Sequence, residues 1–262
     1  MLTRIALAAF LLLFVSACDV LDLFGPEPSD PNDRVAAGTI LRIPGVDLPD
    51  GTNVIEPMAD ARLFFGERGA GADIFMSPPE PLTNASVTLT MVDDVVVDIS
   101  MPHTEDGFYG VSSVEDEDLE YRAGATYRTT ITEAGRIFEM DVEQVPSPEV
   151  PENVPSVHPR GQPMTLTWSQ QRTALVEVFR LTLSGAIHTH SSIPKDVEEI
   201  VWLALQKEPE EPELEIPAEA FEESGSYVLV FIVLKKGIPD SSLFAGSSLM
   251  AGAGETVAFE VE

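Results

Sequence analysis

The stretch SVTLTMVDDVVVDISM, residues 86–101, alternates apolar and polar side chains on both sides of an acidic pair. Val87, Leu89 and Met91 fall on one side, with Ser86, Thr88 and Thr90 on the other. After Asp93-Asp94 the rhythm resumes with Val95, Val97, Ile99 and Met101. Strand side chains alternate with a period of two, so this stretch predicts a hairpin with one apolar and one wet face. That is the pattern of antiparallel sheet packed on a single side. Further along, Tyr127, Thr129 and Ile131 alternate with Arg128, Thr130 and Thr132. Past Gly135, Phe138, Met140 and Val142 alternate with Glu139, Asp141 and Glu143. No segment of this half carries a sustained helical stripe, and the expected fold is all-β.

The second half repeats the pattern. Met164, Leu166 and Trp168 oppose Thr165, Thr167 and Ser169. Ala174–Leu183 and Tyr227–Leu234 are apolar on both faces, as strands in the middle of a packed sandwich are. Val257, Phe259 and Val261 against Glu260 and Glu262 predict a last, edge-like strand. Two readings stand for residues 194–206. Pro194 in a first turn behind Ser192, with acids early, fits a helix, whereas the alternation of Val201, Leu203 and Leu205 weighs toward a strand. Between the halves runs PSPEVPENVP, residues 146–155. Proline at this density stays out of sheet interiors and favours extended polyproline geometry, which makes the run a semi-rigid connector.

The amino terminus reads differently. Met-Leu-Thr-Arg precedes an unbroken apolar run from Ile5 to Val15. This is shorter than the roughly 20 residues a membrane helix needs and has the flanks of a secretory leader. Val15-Ser16-Ala17-Cys18 resembles the lipobox of bacterial lipoproteins. The resemblance implies cleavage before Cys18 and attachment of a diacylglycerol to its thiol, with palmitate among the acyl chains of the anchor. Two or more acyl chains hold a soluble domain at a membrane where one does not. Cys18 is the only cysteine, so an intramolecular disulfide is excluded. Asp19 resembles an inner-membrane retention signal, and inner membrane, outer membrane and cell surface all stay open.

The chain of 262 residues carries a formal charge of −29, and loss of Arg4 with the leader makes it −30. Such a charge repels polyanions. Nucleic-acid binding, which relies on Lys and Arg neutralising phosphates, is excluded, and anionic headgroups leave the lipid as the membrane attachment. The expected organisation is a leader over 1–17, an acidic proline-rich tether over 18–36, a β-sandwich over 37–145, the connector over 146–155 and a second sandwich over 156–262. The strand pattern of the second half, with Trp168 on an early strand and Tyr227 opening a late central one, resembles fibronectin type III and immunoglobulin-like domains. Residues 80–145 are similar to a sandwich of the same broad type. The resemblance implies two tandem antiparallel sandwiches serving adhesion, spacing or binding, and it brings no catalytic residues.

Chemistry-bearing motifs are few. His188 and His190 stand two apart, so on a strand both imidazoles would meet one zinc ion, with His158 or a carboxylate as a third ligand. A solvated strand end explains the pair equally well. Glu115–Asp118 with Glu120 offers oxygens for calcium, without the spaced loop that calcium requires. The glycines of Gly66–Gly71 are in the wrong order for a phosphate loop. No Gly-x-Ser-x-Gly elbow or His-Glu-x-x-His occurs. Phe108 and Tyr109 form an aromatic turn, half-buried or free to stack on a sugar or peptide. The expected role is a non-enzymatic binding or structural module at the cell envelope, facing an envelope protein or polysaccharide, with no resident cofactor. The alternatives are a divalent-cation-dependent adhesion or ligand-binding lipoprotein, and an envelope hydrolase for which no motif speaks.

Overall fold

The computed structural model of the protein describes residues 32–47, 53–69, 74 and 77–262. The expected leader, the lipidation candidate Cys18 and most of the expected tether lie outside them. In chain order the first strands are β1 (Arg34–Ile43), β2 (Val46–Asp47), β3 (Asn53–Ile55), β4 (Met58–Glu67), β5 (Glu80–Pro81), β6 (Ser86–Val92), β7 (Val96–Met101), β8 (Phe108–Ser112), β9 (Thr126–Glu133) and β10 (Arg136–Val142). The rest are β11 (Val157–His158), β12 (Met164–Thr167), β13 (Ala174–Thr182), β14 (Gly185–Ser191), β15 (Glu213–Ile216), β16 (Gly225–Lys236), β17 (Ile238–Pro239) and β18 (Ser248–Val261). The expected tether is shorter than 18–36, because Arg34 already opens a strand.

Nine strands form one long sheet in the order β14-β13-β16-β18-β1-β4-β5, with β8 also on β4 and β11 also on β18. β18 is its spine. On one side it pairs antiparallel with β16 from Gly225↔Val261 to Lys236↔Met250. On the other it pairs parallel with β1, from Ala37↔Ser248 to Arg42↔Ala253, and then with β11. The last strand is therefore central rather than the edge strand its charged end predicts.

Two further sheets cover one face of this base. The five-stranded sheet β17-β10-β9-β6-β7 packs over β1, β4, β8 and the first half of β18, with Leu89, Tyr127 and Phe138 meeting Ile40, Leu63, Phe65 and Ala251. The β12–β15 pair packs over β13, β16 and the second half of β18, with Leu166, Trp168 and Ile216 meeting Val176, Leu229, Phe231 and Phe259. β16 is apolar on both faces because both are buried: its odd residues enter this core, and Val228, Val230, Ile232 and Leu234 enter a third one behind the sheet. The two sandwiches expected as separate tandem domains thus share a base sheet. Their strands do not part at residues 146–155, and Asn32–Glu262 is one compact unit. The connector is itself irregular. The Tyr121 hydroxyl donates to Pro146 O (2.9 Å), and Glu149 Oε1 accepts from Ser169 N (2.8 Å).

The third core lies under the helix Val197–Leu205, where a strand was the favoured expectation. Asp196 caps the helix by accepting from Glu199 N at 2.9 Å, and Glu199 Oε2 accepts from Lys195 N at 2.7 Å. This reciprocal arrangement is close to a capping box. Val197, Ile200 and Val201 then fall on one stripe and are buried, which a two-residue alternation would not allow. The cap is Asp196, four residues later than Ser192.

Local features hold the frame together. Tyr227 donates its hydroxyl to Glu223 O at 2.8 Å, and Trp168 lies 5.4 Å from Phe231. Tyr127 does the same at the start of β9, donating to Glu120 O at 2.6 Å. Arg34, 9% exposed, places Nη2 3.5 Å from Oε1 of Glu133, which is 7% exposed, and so ties β1 to β9 of the covering sheet. Its Nη1 reaches Asp33 at 3.0 Å and Glu67 at 3.2 Å. At Gly237 the chain leaves β16 to reach the covering sheet, donating its N–H to Leu249 O at 2.7 Å. A Cβ here would stand 2.1 Å from Asp141 O. Only glycine fits.

Candidate functional site

A cleft of about 600 Å³ opens beside the helix, between the start of β13 and the start of β15. That volume lies in the range of small-ligand sites. One wall is the helix, presenting Glu198, Trp202 and Leu203; the floor is Ala174 and Leu175; the far wall holds Trp168 and Leu214. Trp202 points away from the helix stripe that meets the core and is 42% exposed.

The segment after the helix is stitched to the loop before β13. Thr173 N donates to Glu208 Oε2 (3.0 Å), Gln171 Nε2 to Glu210 O (3.1 Å) and Trp168 N to Pro212 O (3.2 Å). Lys236 Nζ donates to Gln206 O, closing the segment from the β16 side. Burial pushes the Lys236 ammonium below its ordinary value, with Glu208 opposing.

The hydroxyls of the cleft are mostly held by backbone. Ser192 Oγ accepts from Val176 N at 2.8 Å, and Ser191 Oγ accepts from Ile193 N at 3.0 Å. Thr173 Oγ1 is a buried atom without a partner. Ser191 also hydrogen-bonds the Glu177 carboxylate, which lies 3.7 Å from His188 Nε2. Lys195 and Lys207 stand exposed on the rim.

The other sequence candidates lie elsewhere or are engaged. The register shift between Val178 and Phe179 removes the premise of the histidine pair. His188 pairs opposite Phe179 and His190 opposite Val178, and those two neighbours point into different cores. The bulge therefore breaks the same-face relation that two-residue spacing predicts. His188 Nε2 lies 3.7 Å from Glu177 Oε1. Burial pushes the Glu177 carboxyl up, against His188 and Ser191, and burial first, then His188 and Lys195, pushes His190 down. His158, the proposed third ligand, is buried with Nε2 2.9 Å from Gln162 O and its ring 4.7 Å from Phe221. Among the described residues no group of three or more His, Cys, Asp or Glu gathers to hold a metal ion.

In the acidic run, Glu115 Oε2 accepts from Ser112 N and Oγ, and Asp116 Oδ1 accepts from Asp118 N, each at 3.0 Å. Glu120 pairs with Arg122 at 2.8 Å. Three of these carboxylates shape a turn or an ion pair instead of converging. Phe108 is half-buried against Phe64 at 5.4 Å, and Tyr109 is buried with its hydroxyl donating to Leu82 O at 2.8 Å. Cys18, the lipidation candidate, lies outside the described residues. No helix among the described residues is long and apolar enough to cross a membrane.

Trp202, Lys195 and Lys207 were not singled out in the sequence. A signal was present: both tryptophans and all four lysines fall between residues 168 and 236.

No protein-family profile matches the chain, and no curated protein matches it in sequence. Among solved structures, a trypsin-activated alpha-2-macroglobulin from Escherichia coli aligns over 88% of this chain at 10% identity, with a TM-score of 0.22. The chain spans 17% of that protein's length. A superposition so loose assigns no family. What the residues establish is the class: a mostly-β chain built sheet on sheet, whose helix walls an open cleft.

Proposed function

We propose that this chain is a lipid-anchored, extracytoplasmic protein of the bacterial envelope whose folded part is a non-enzymatic binding module. The observation that supports the reading is the cleft beside the helix, large and apolar at its base. A recess of this kind retains a ligand through contact area and a few placed charges rather than through chemistry. The leader and the Val15–Cys18 motif support the anchor. A charge of −29 repels anionic headgroups and leaves acyl chains as the attachment. The two sandwiches are read as immunoglobulin-like modules fused through a common sheet. Tyr227 at the start of a central strand, bonded to backbone four residues upstream, and Trp168 packed in the adjacent core support that kinship.

The experiment uses the full chain expressed with its leader in a bacterial host. Mass spectrometry of the membrane fraction is expected to find an amino terminus at Cys18 carrying diacylglycerol, and Cys18→Ser is expected to release the protein from the membrane. A free thiol on an uncleaved chain overturns the anchor. Turnover of any envelope polymer, abolished by one substitution in the cleft, overturns the non-enzymatic half.

A further inference from the structure

The chain has 44 acidic and 15 basic residues, and its four lysines are Lys195, Lys207, Lys235 and Lys236. All four fall within the segment that builds the helix, the cleft and β16. Lys195 and Lys207 line the cleft itself, and Lys236 bonds the carbonyl of Gln206, another lining residue. Among the described residues neither Lys195 nor Lys207 has an ion-paired carboxylate or a side-chain hydrogen bond. In a protein with nearly three acids per base, two unpaired ammonium groups on one rim are out of keeping with the rest of the surface. Below them the cleft is mainly apolar, with Leu175, Leu203, Leu214 and the exposed Trp202.

Three carboxylates share the rim, and they do not act alike. Glu199 turns one oxygen to the Lys195 backbone N–H, so its charge is held at the helix start. Glu198 and Glu213 are the remaining competitors.

From this juxtaposition we infer that the cleft takes an amphipathic carboxylate, its aryl or alkyl body against Trp202 and its acid group at one of the rim ammonium groups, Lys207 or Lys195, which flank the two ends of the helix. This rests on the reading of the cleft as a binding site and adds the ligand's chemical class. An ammonium at such a rim acts as a compact charge with three donors, and it gains most from an acceptor whose other end is already desolvated. The same chemistry is offered by a free organic acid and by the carboxy-terminal residue of a peptide ending in an apolar side chain.

Both tryptophans of the chain, Trp168 and Trp202, line the cleft, so intrinsic emission reads occupancy directly. The full chain in mild detergent is titrated with 4-phenylbutyrate, 4-phenylbutan-1-ol and 4-phenylbutylamine, three probes with one body and different heads. The acid is expected to saturate the emission change with a Kd at least tenfold below that of the alcohol, and the amine to bind weakest. In Lys195→Gln/Lys207→Gln the acid is expected to fall to the alcohol's affinity, while the alcohol is unchanged and the far-UV circular dichroism is retained. Equal affinity for acid and alcohol, tighter binding of the amine, or an acid-to-alcohol ratio unaltered in the double variant overturns the inference and leaves the binding site standing. No saturable response to any probe overturns both. N-acetyl-Ala-Ala-Phe compared with its carboxamide separates the two sources: a free peptide that binds tighter than phenylbutyrate, and loses that advantage as the amide, identifies a chain end, and the reverse order identifies a small acid.

Discussion

If the sandwiches share a sheet, damage to one is felt in the other, and Leu89→Ala measures it. Leu89 is fully buried at the middle of β6, in the core between the five-stranded sheet and the base. Truncation removes three carbons, worth about 2.4 kcal/mol at roughly 0.8 kcal/mol per buried CH₂. The incompletely collapsed cavity raises the total to about 3–4 kcal/mol. Both tryptophans, Trp168 and Trp202, lie in the other half of the chain, so their emission reports only on the C-terminal sandwich and its helix. Urea unfolding is followed in parallel by tryptophan emission and by far-UV circular dichroism. With β18 common to both cores, the two signals are expected to move together, each by the full 3–4 kcal/mol, in one transition. Separate domains give another result: dichroism splits into two steps, and the tryptophan midpoint stays within about 0.5 kcal/mol of the parent, as expected for independent sites. That outcome refutes the shared-sheet reasoning.

Gly237→Ala forces a Cβ to within 2.1 Å of Asp141 O, so β17 must separate from β10; the loss of its short pairing, at about 1 kcal/mol per bond, and added strain predict about 3 kcal/mol of destabilisation by urea titration, and a change under about 1 kcal/mol contradicts the steric account. Arg34→Met leaves Glu133 buried without its cation and is expected to cost about 3–5 kcal/mol, whereas the double variant Arg34→Met/Glu133→Leu is expected to recover most of that loss; a double variant as unstable as the single one argues that packing, not charge, is at stake. His190 has its pKa lowered by burial, so the unfolded chain takes up the proton first, and stability is lost as pH falls from about 6.5 toward the folded-state value. His190→Gln is expected to flatten that limb in thermal melts between pH 7 and 5, and an unchanged slope assigns the loss to other groups.

The hairpins were legible because their signal is local. β6 with β7 and β9 with β10 each alternate on both sides of a short turn, and their register follows from one buried face. The place of β18 was not. Its first half, Ser248-Leu-Met-Ala-Gly-Ala-Gly254, has little hydrophobic amplitude, since small residues are what a crowded centre needs: a Cβ on Gly252 would lie 2.6 Å from Leu234 Cδ2. Its parallel pairing with β1 joins residues about two hundred apart, and no nearby pattern encodes that. The helix was misread because Val201, Leu203 and Leu205 satisfy a strand by chance, while burial selects Val197, Ile200, Val201 and Leu203. For the histidines the decisive feature was a bulge, which spacing alone does not announce. Likewise Trp168, Lys195, Trp202 and Lys207 are scattered in sequence and meet only once the helix packs.

The place of β18 also sets a timetable. β1 ends at Ile43, and its parallel neighbour begins at Ser248, so a ribosome adding about 5–20 residues per second delivers the second strand on the order of 10–40 s after the first. Through that interval β4 can pair with β1, but the opposite border of β1 is open, and the first sandwich lacks Leu249, Ala251 and Ala253 from its floor. Non-local closure of this kind is slow. A nascent chain therefore stays unfinished and threadable until its closing strand is made, which is the state that the export proposed above calls for.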